Sequence, residues 1–281
     1  LVVTPLGNLG NTCFIAAPIQ ILLRMAGVWR ALLCCDAYVP GLLQLRHHMM
    51  NGASDDASRA FAVFVSIVRQ ERWQLNSANG EWSSGDAQIF LRRFLTYLDL
   101  MSEGKLREAV EICVEETHHC GNGDCNVAQT PTSEAVPCVP LEGNLDASLI
   151  DRIGQYFDER LSSHCARCGS AMQRTRRFTR APQHLILTVQ YWEPASTNPP
   201  RQLICPGGGK TKFEYNLVGA VVYREGHFVA VVLDDEGVFW ALDEQIRRVE
   251  TASDWQSSYI LFYNKSGARQ GEQTDSERQD S

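Results

Sequence analysis

Hydrophobic positions fall into two regimes along the chain. In the first third they recur at helical spacing: Phe61, Phe64, Val65 and Val68 form one set, and Phe90, Phe94, Leu95 and Leu98 another. Ile19–Met25 is a short apolar stretch of the same region. Asp86 stands just ahead of the second set, where a carboxylate can cap the free N–H groups of a helix start. After about Leu106 the pattern changes to short apolar runs between turn residues. Leu185–Val189, Tyr215–Tyr223, Phe228–Leu233, Val238–Leu242 and Tyr259–Tyr263 read as strands by length and β-branching. Glu193–Gly209, rich in Pro, Gly and polar residues, reads as a loop, and residues 266–281 as a disordered polar tail. Helices followed by strands predict an α+β fold.

Composition narrows this picture only modestly. The 281 residues are 44% hydrophobic and 21% charged, with a net charge of −7. That length holds one large domain or two ordinary ones, and the acidic balance argues against a dedicated nucleic-acid binder. No apolar run approaches the ~20 residues of a membrane span, no signal peptide is evident, and no membrane partner is expected. Leu1 in place of an initiator Met suggests a processed product or a piece of something longer. Ten cysteines at irregular spacing in so long a chain do not read as a secreted disulfide framework. Cys34, Cys35, Cys113, Cys138 and Cys205 read as reduced thiols, which implies an intracellular protein, cytoplasmic or nuclear.

The stretch Gly7-Asn8-Leu9-Gly10-Asn11-Thr12-Cys13-Phe14 is a tight turn leading into the Ile19–Met25 run. A thiolate at a helix mouth is stabilised by free N–H groups and the positive end of the dipole. Backbone amides in that turn, with an Asn side chain, could hold an acyl-transfer oxyanion. On local chemistry alone Cys13 is either a nucleophile or a buried thiol in a glycine turn. Gly226-His227-Phe228 opens a strand, and Asp234-Asp235-Glu236-Gly237 is a turn signal. A hairpin around that turn sets Asp243 near Phe228, and a one-residue change in turn length sets it opposite His227, within reach of Nδ1–H. A His merely satisfied at a strand edge is the alternative. Cys early and His late, on separate lobes, is the order of papain-like enzymes.

Cys165-Ala166-Arg167-Cys168 has knuckle spacing, and Cys120 and Cys125 bracket a looser turn; together they could share one tetrahedral ion, with His118 and His119 as substitute ligands. Reduced thiols without metal are the other reading. Gly207-Gly208-Gly209-Lys210-Thr211 lacks the first Gly of a phosphate loop, because Ile204 stands there, and it precedes a strand. Arg174, Arg176, Arg177 and Arg180 read as a solvated strand face before a nucleic-acid contact.

The Cys13 stretch resembles the cysteine box of the ubiquitin-specific proteases, with Gly10-Asn11-Thr12-Cys13-Phe14 and Gln20 in place. Tyr215-Asn216-Leu217, Val221-Val222 and Gly226-His227-Phe228 resemble the family's histidine box. Phe239–Asp243 resembles its aromatic-x-Phe-Asp element, Ser258–Tyr263 its closing strand, and Asp86-Ala87 with Phe90-Leu91 half of its Gln-Gln-Asp-Ala helix start. The resemblance runs in order from Leu6 to Tyr263. It implies a catalytic domain over 1–265 with a helical thumb (about 1–105), zinc-bearing fingers (about 106–190) and an antiparallel palm (mainly 185–265). It implies hydrolysis after the C-terminal Gly of ubiquitin by a monomeric enzyme. Cys13 would attack, Asn8 help hold the oxyanion, His227 take the thiol proton and Asp243 orient it. Asp86, Gly226 and Phe228 would meet substrate, and Cys120, Cys125, Cys165 and Cys168 hold a structural zinc. Ala16-Ala17, Pro18, Ser84-Gly85 and Ile89 depart from the family pattern. Pro18 in particular should disturb a helix starting near Cys13. These departures leave open a ubiquitin-like modifier as substrate, while the intact catalytic positions argue against a dead homologue. The missing initiator Met leaves open a papain-like protease that cuts a precursor polyprotein, and a zinc-stabilised ubiquitin-binding module without activity is the alternative from another class.

Overall fold

The computed structural model describes residues 4–6, 9, 11–34, 40–70, 85–142, 147–189, 198–243, 246–255 and 257–267. Six helices come first: α1 (Cys13–Leu22), α2 (Ala26–Leu33), α3 (Pro40–Met50), α4 (Ser54–Gln70), α5 (Ala87–Met101) and α6 (Lys105–Val110). Both helical patterns read from the sequence lie where expected. Phe61, Phe64, Val65 and Val68 are the buried stripe of α4, and Phe90, Phe94, Leu95 and Leu98 that of α5. Phe94 meets Phe64 edge-on and stacks on Phe90, which locks the two stripes together. Asp86 caps α5 as expected, its Oδ1 accepting the Gln88 and Ile89 amides at 2.7 and 2.9 Å. No single helix among the described residues is long and apolar enough to cross a membrane; α1 and α2 pass together only, across a 96° bend.

Pro18 does not break α1. The helix begins at Cys13 and runs through to Leu22. The proline nitrogen removes one intrahelical hydrogen bond, the one that would reach the Phe14 carbonyl. Every residue from Phe14 to Leu22 is buried, so packing on all sides outweighs that single loss.

Two sheets follow. The smaller has the order β2-β1-β5-β4 and is antiparallel throughout, from β1 (Ile112–Cys120), β2 (Thr132–Val136), β4 (Asp158–His164) and β5 (Ala171–Arg180). It consists of two hairpins joined along β1 and β5. The larger sheet has the order β11-β10-β9-β8-β12-β6-β3. Its members are β3 (Val139–Leu141), β6 (His184–Val189), β8 (Lys212–Arg224), β9 (His227–Leu233), β10 (Phe239–Leu242), β11 (Ile246–Arg248) and β12 (Ser258–Lys265), with β7 (Gln202–Pro206) added against β8. Among the described strands only the β3–β6 pair is parallel.

The centre of the larger sheet, β6, β9, β12 and the second half of β8, is buried on both faces, which is why these strands read as continuous apolar runs, while β11 is exposed and β7 alternates. Phe228, Ala230 and Val232 of β9 face the helices, in one cluster with Phe14, Ile15, Ile19 and Phe90. Val229 and Val231 face the other way, in a second cluster with Leu217, Phe239, Ala241 and Trp255; α7 (Leu149–Phe157) joins that cluster through Leu149, Ile153 and Phe157, packed on β3, β4 and β5. Two expectations need correction here: helix α7 interrupts the strand region, and β7 occupies part of the segment read as a loop. The expected polar tail lies outside the described residues apart from Ser266 and Gly267. Gly207–Thr211 is the turn between β7 and β8, closed by Gly207 N–H to the Thr211 carbonyl at 2.9 Å, with a strand after it as expected.

Candidate active site and metal centre

Cys13 is the first residue of α1 and is half-buried against the helical core. Asn11 ahead of it takes a left-handed φ of 50°. Thr12 gives the helix no side-chain cap; its hydroxyl instead accepts the Leu9 amide at 3.0 Å and folds the turn back on itself. Gln20, one turn from the helix end, is buried and accepts the Leu6 amide at 3.2 Å, so it ties the incoming strand of chain to α1. Asn8 lies outside the described residues.

Helix α1 packs directly on β9, whose first residue is His227. Strands β8 and β9 pair down to Arg224 and His227, so only Glu225 and Gly226 form the turn. Both have positive φ, 47° and 85°, the two-residue hairpin geometry that matches strand twist. The connection between β8 and β9 is therefore a tight turn, and Gly226 supplies the left-handed position a side chain would strain. Arg224 anchors the turn by donating to the carbonyls of Ser253 and Asp254.

His227 Nε2 lies 2.7 Å from Asp243 Oδ1, with both side chains about a third exposed. The expected partnership forms, in a different register and through the other nitrogen. Asp234 Oδ1 accepts the Glu236 and Val238 amides, at 2.9 and 2.8 Å, and makes the β9–β10 turn five residues long. Leu242 then pairs with Ala230, which sets Asp243 level with Val229 and diagonal to His227. A diagonal neighbour remains within reach of a long side chain. Since the carboxylate accepts, Nε2 carries the hydrogen, and the neutral ring keeps its lone pair on Nδ1.

The expected substrate contacts are placed as follows. Phe228 is buried between Tyr223 and Tyr259, with ring centroids at 5.0 and 5.6 Å, and acts as core. Gly226 is exposed at the turn. Asp86 spends Oδ1 on the helix cap and accepts the Tyr259 hydroxyl on Oδ2. Sequence reading passed over Gln88, which is buried and donates to the Val189 and Tyr259 carbonyls at 2.8 and 3.0 Å. It also passed over His184, whose Nε2 accepts the Gly27 amide at 2.8 Å and whose Nδ1 meets Asn264 at 2.6 Å. A Cβ on Gly27 would come within 2.7 Å of that imidazole, so only Gly admits the contact. Burial pulls the His184 pKa down to about 4 and keeps the ring neutral.

The cysteine cluster forms at the far tip of the small sheet. Cys120 ends β1, Cys125 follows in the β1–β2 connection, and Cys165 and Cys168 lie between β4 and β5. Their four sulfurs lie within 4.8 Å of one another, with Cys120–Cys168 at 3.4 Å and Cys125–Cys165 at 3.8 Å. A Zn–S bond of about 2.3 Å puts tetrahedral sulfurs about 3.8 Å apart, so the set fits such an ion. The Ser170 hydroxyl and amide hydrogen-bond Cys168 and hold its thiol down at about 6, toward the thiolate a metal requires. His118 is turned instead to Glu116 at 2.9 Å and His119 to Gln173 at 3.1 Å. Cys34, Cys113, Cys138 and Cys205 are free thiols, while Cys35 lies outside the described residues. The four arginines of β5 are paired: Arg174 with Glu159, Arg176 with Glu116, Arg177 with Asp158 and Arg180 with Glu111. A cavity of about 210 Å³ opens beside them, between Glu116, Tyr156, Pro140 and Arg176, and none of Cys13, His227 or Asp243 lines it.

No curated protein sequence matches the chain significantly. Among solved structures it is similar to SAGA DUB modules of Ubp8, Sgf11, Sus1 and Sgf73. With the module bound to monoubiquitin the TM-score is 0.73 at 16% identity, and with that bound to ubiquitin aldehyde it is 0.72 at 18%. Each comparison covers 94% of this chain and 69% of the other. A yeast SAGA module with an altered Sgf73 gives 0.67 at 16% identity, covering 94% and 68%. At these identities the likeness establishes the fold, with its helical layer and antiparallel sheets. The family model for ubiquitin carboxyl-terminal hydrolase matches residues 4–263, nearly the whole chain. The chain belongs to the ubiquitin carboxyl-terminal hydrolase family and is a cysteine deubiquitinase.

Proposed function

We propose that this deubiquitinase cleaves the bond after the C-terminal Gly of ubiquitin with Cys13 as nucleophile, His227 as base and Asp243 as its orienter. The observation that carries the reading is the 2.7 Å contact from His227 Nε2 to Asp243. It fixes the tautomer and leaves Nδ1 to take the Cys13 proton. The thiolate attacks the carbonyl carbon, and the oxyanion falls among the amides at the start of α1, with Asn8 as a further donor. The imidazolium then protonates the leaving lysine amine. Water, deprotonated by the same nitrogen, hydrolyses the thioester and releases the ubiquitin carboxylate. In this reading the helices are the thumb, the small sheet the fingers and the large sheet the palm.

Cys120, Cys125, Cys165 and Cys168 would hold one zinc. When bound, the ion supplies a structural cross-link and no chemistry to the cleavage. Ubiquitin is the partner this reading requires. The solved neighbours are multi-protein modules, which gives the expectation of a monomer no support. An intracellular setting agrees with the thiol-rich sequence.

The test is a ubiquitin probe with an electrophile at its C-terminus. It should couple to the wild-type chain through Cys13, and Cys13→Ala should lose hydrolysis by at least about a thousandfold while still binding ubiquitin. Undiminished turnover by Cys13→Ala would sink the assignment.

A further inference from the structure

Asp254 lies on the 3₁₀ turn Ala252–Trp255, just before β12, and is 7% exposed. Its Oδ2 accepts the Glu250 and Thr251 amides at 3.0 and 2.9 Å and the Thr251 hydroxyl at 3.1 Å. Its Oδ1 accepts from the Arg247 guanidinium and stands 3.6 Å from that of Arg224, which also donates to the Asp254 backbone carbonyl. Burial alone would raise the carboxyl pKa. The Arg247 hydrogen bond and the two amides overrule it and hold the group far below the usual range, so the charge is permanent at any working pH.

The positions of the two arginines give this cluster its meaning. Arg224 pairs directly with His227 across the β8–β9 ladder. Arg247 pairs with Ala241 across the β10–β11 ladder, two residues before Asp243. One buried carboxylate thus grips the strand end opposite the base and the strand beside the orienter. The turn is sealed against β8 as well, because the Tyr223 amide donates to the Ser257 carbonyl at 3.0 Å. The His227–Asp243 bond is diagonal and joins two strand ends, where the ladder itself no longer enforces spacing.

We propose that Asp254 is a positioning residue for the reaction: through Arg224 and Arg247 it holds the His227 turn and the Asp243 strand end at the separation their hydrogen bond needs. The proposal rests on the Cys13, His227 and Asp243 assignment. Loss of the carboxylate lets the two strand ends part by a fraction of an ångström, weakens the imidazolium that pairs with the Cys13 thiolate, and lowers the rate without removing any group that touches substrate.

The experiment compares full-length wild type, Asp254→Asn, Arg247→Gln and Cys13→Ala, at a temperature where circular dichroism shows each to be folded. Hydrolysis of a ubiquitin C-terminal aminocoumarin amide gives kcat and KM, and iodoacetamide labelling of Cys13 across pH gives the thiolate profile. Expected is a kcat lower by about tenfold in Asp254→Asn and by less in Arg247→Gln, with KM within about twofold, and a labelling profile displaced to higher pH. Arg247→Lys should restore part of both. A lowered melting midpoint with kcat and labelling profile unchanged would mean a purely structural role and overturn the proposal. If Asp254→Asn fails to fold, Arg247→Gln, at a half-exposed side chain, decides alone. Activity retained by Cys13→Ala would strike the catalytic assignment and not this coupling.

Discussion

His227 opens β9 and Asp243 follows β10, two strands buried along most of their length, whereas the cysteine cluster crowns a sheet whose strands are largely half-exposed or exposed. Around the first stand Phe228, Ala230, Val231 and Val232, backed by the helices on one side and by the cluster of Phe239, Ala241 and Trp255 on the other. Around the second, among the described residues, the buried cluster is only Cys120, Cys165 and Met172, with Cys125, Val127 and Leu161 packed beside it. The core between the helices and the large sheet holds its polar groups in place without help. The cluster sits where apolar burial runs out, and there four sulfurs drawn together stand in for a core. One region is a site made by the fold, and the other a fold made by its site.

On the proposed zinc site, removing the ion should produce the largest effect: the apparent binding free energy that a strong chelator takes away is on the order of 10 kcal/mol. Amide exchange should become fast at the tips of β1, β4 and β5 while Cys13 labelling changes by less than about twofold. Equal loss of protection in β8 and β9 would erase the contrast between the two regions.

The buried region has its own dependence, on a proton rather than a metal. His184 joins α2 to β6 and β12 only as a neutral ring, with its pKa near 4 when folded against about 6.5 when unfolded. The unfolded chain therefore takes the proton first, and stability that is complete above pH ~6.5 drains away as pH falls toward 4. Between pH 7 and pH 5 this one residue should cost about 2 kcal/mol, read by urea unfolding. His184→Gln should be less stable at pH 7 but show a flatter pH dependence; an unchanged slope would remove His184 from the account.

Smaller effects sharpen the comparison within the active site. Asp243→Asn keeps an acceptor for Nε2–H but loses the charge facing the imidazolium, so kcat should fall about tenfold or more with little change in KM. Smallest of all is the response of the β8–β9 turn. Because two residues close it, Val222–Phe228 should already exchange slowly in the free enzyme, with little added protection from ubiquitin. Protection appearing only with ubiquitin would make the turn a moving gate.

What the sequence revealed depended on how local the physics was. The α4 and α5 stripes, the Asp86 cap and the β9 and β12 runs each announce themselves within a few residues. The His227–Asp243 partnership was legible as a proximity, but its register depended on how Asp234 folds the turn, and the choice of nitrogen followed from that. Helix α7 had a signal that went unread: Ser148 caps it and accepts the Asp151 amide at 3.2 Å, a short capping pattern masked by Gly154 in the helix interior. Strand β7 hid behind Pro200 and Pro206, as edge strands do. Asp254, Gln88 and His184 left no trace, because a buried polar residue is defined by partners from distant segments.

The packing of α1 on β9 also has a consequence in time. Cys13 and His227 are separated by 214 residues (227 − 13), and every strand of the large sheet is made after α1. At ribosomal rates, roughly 10–40 s pass between the emergence of the thiol and that of the imidazole. On the proposed assignment, the nascent chain displays throughout that interval a cysteine with no base to activate it. The proposed protease is then silent while it is being made and gains its activity only when β9 closes over the first helix.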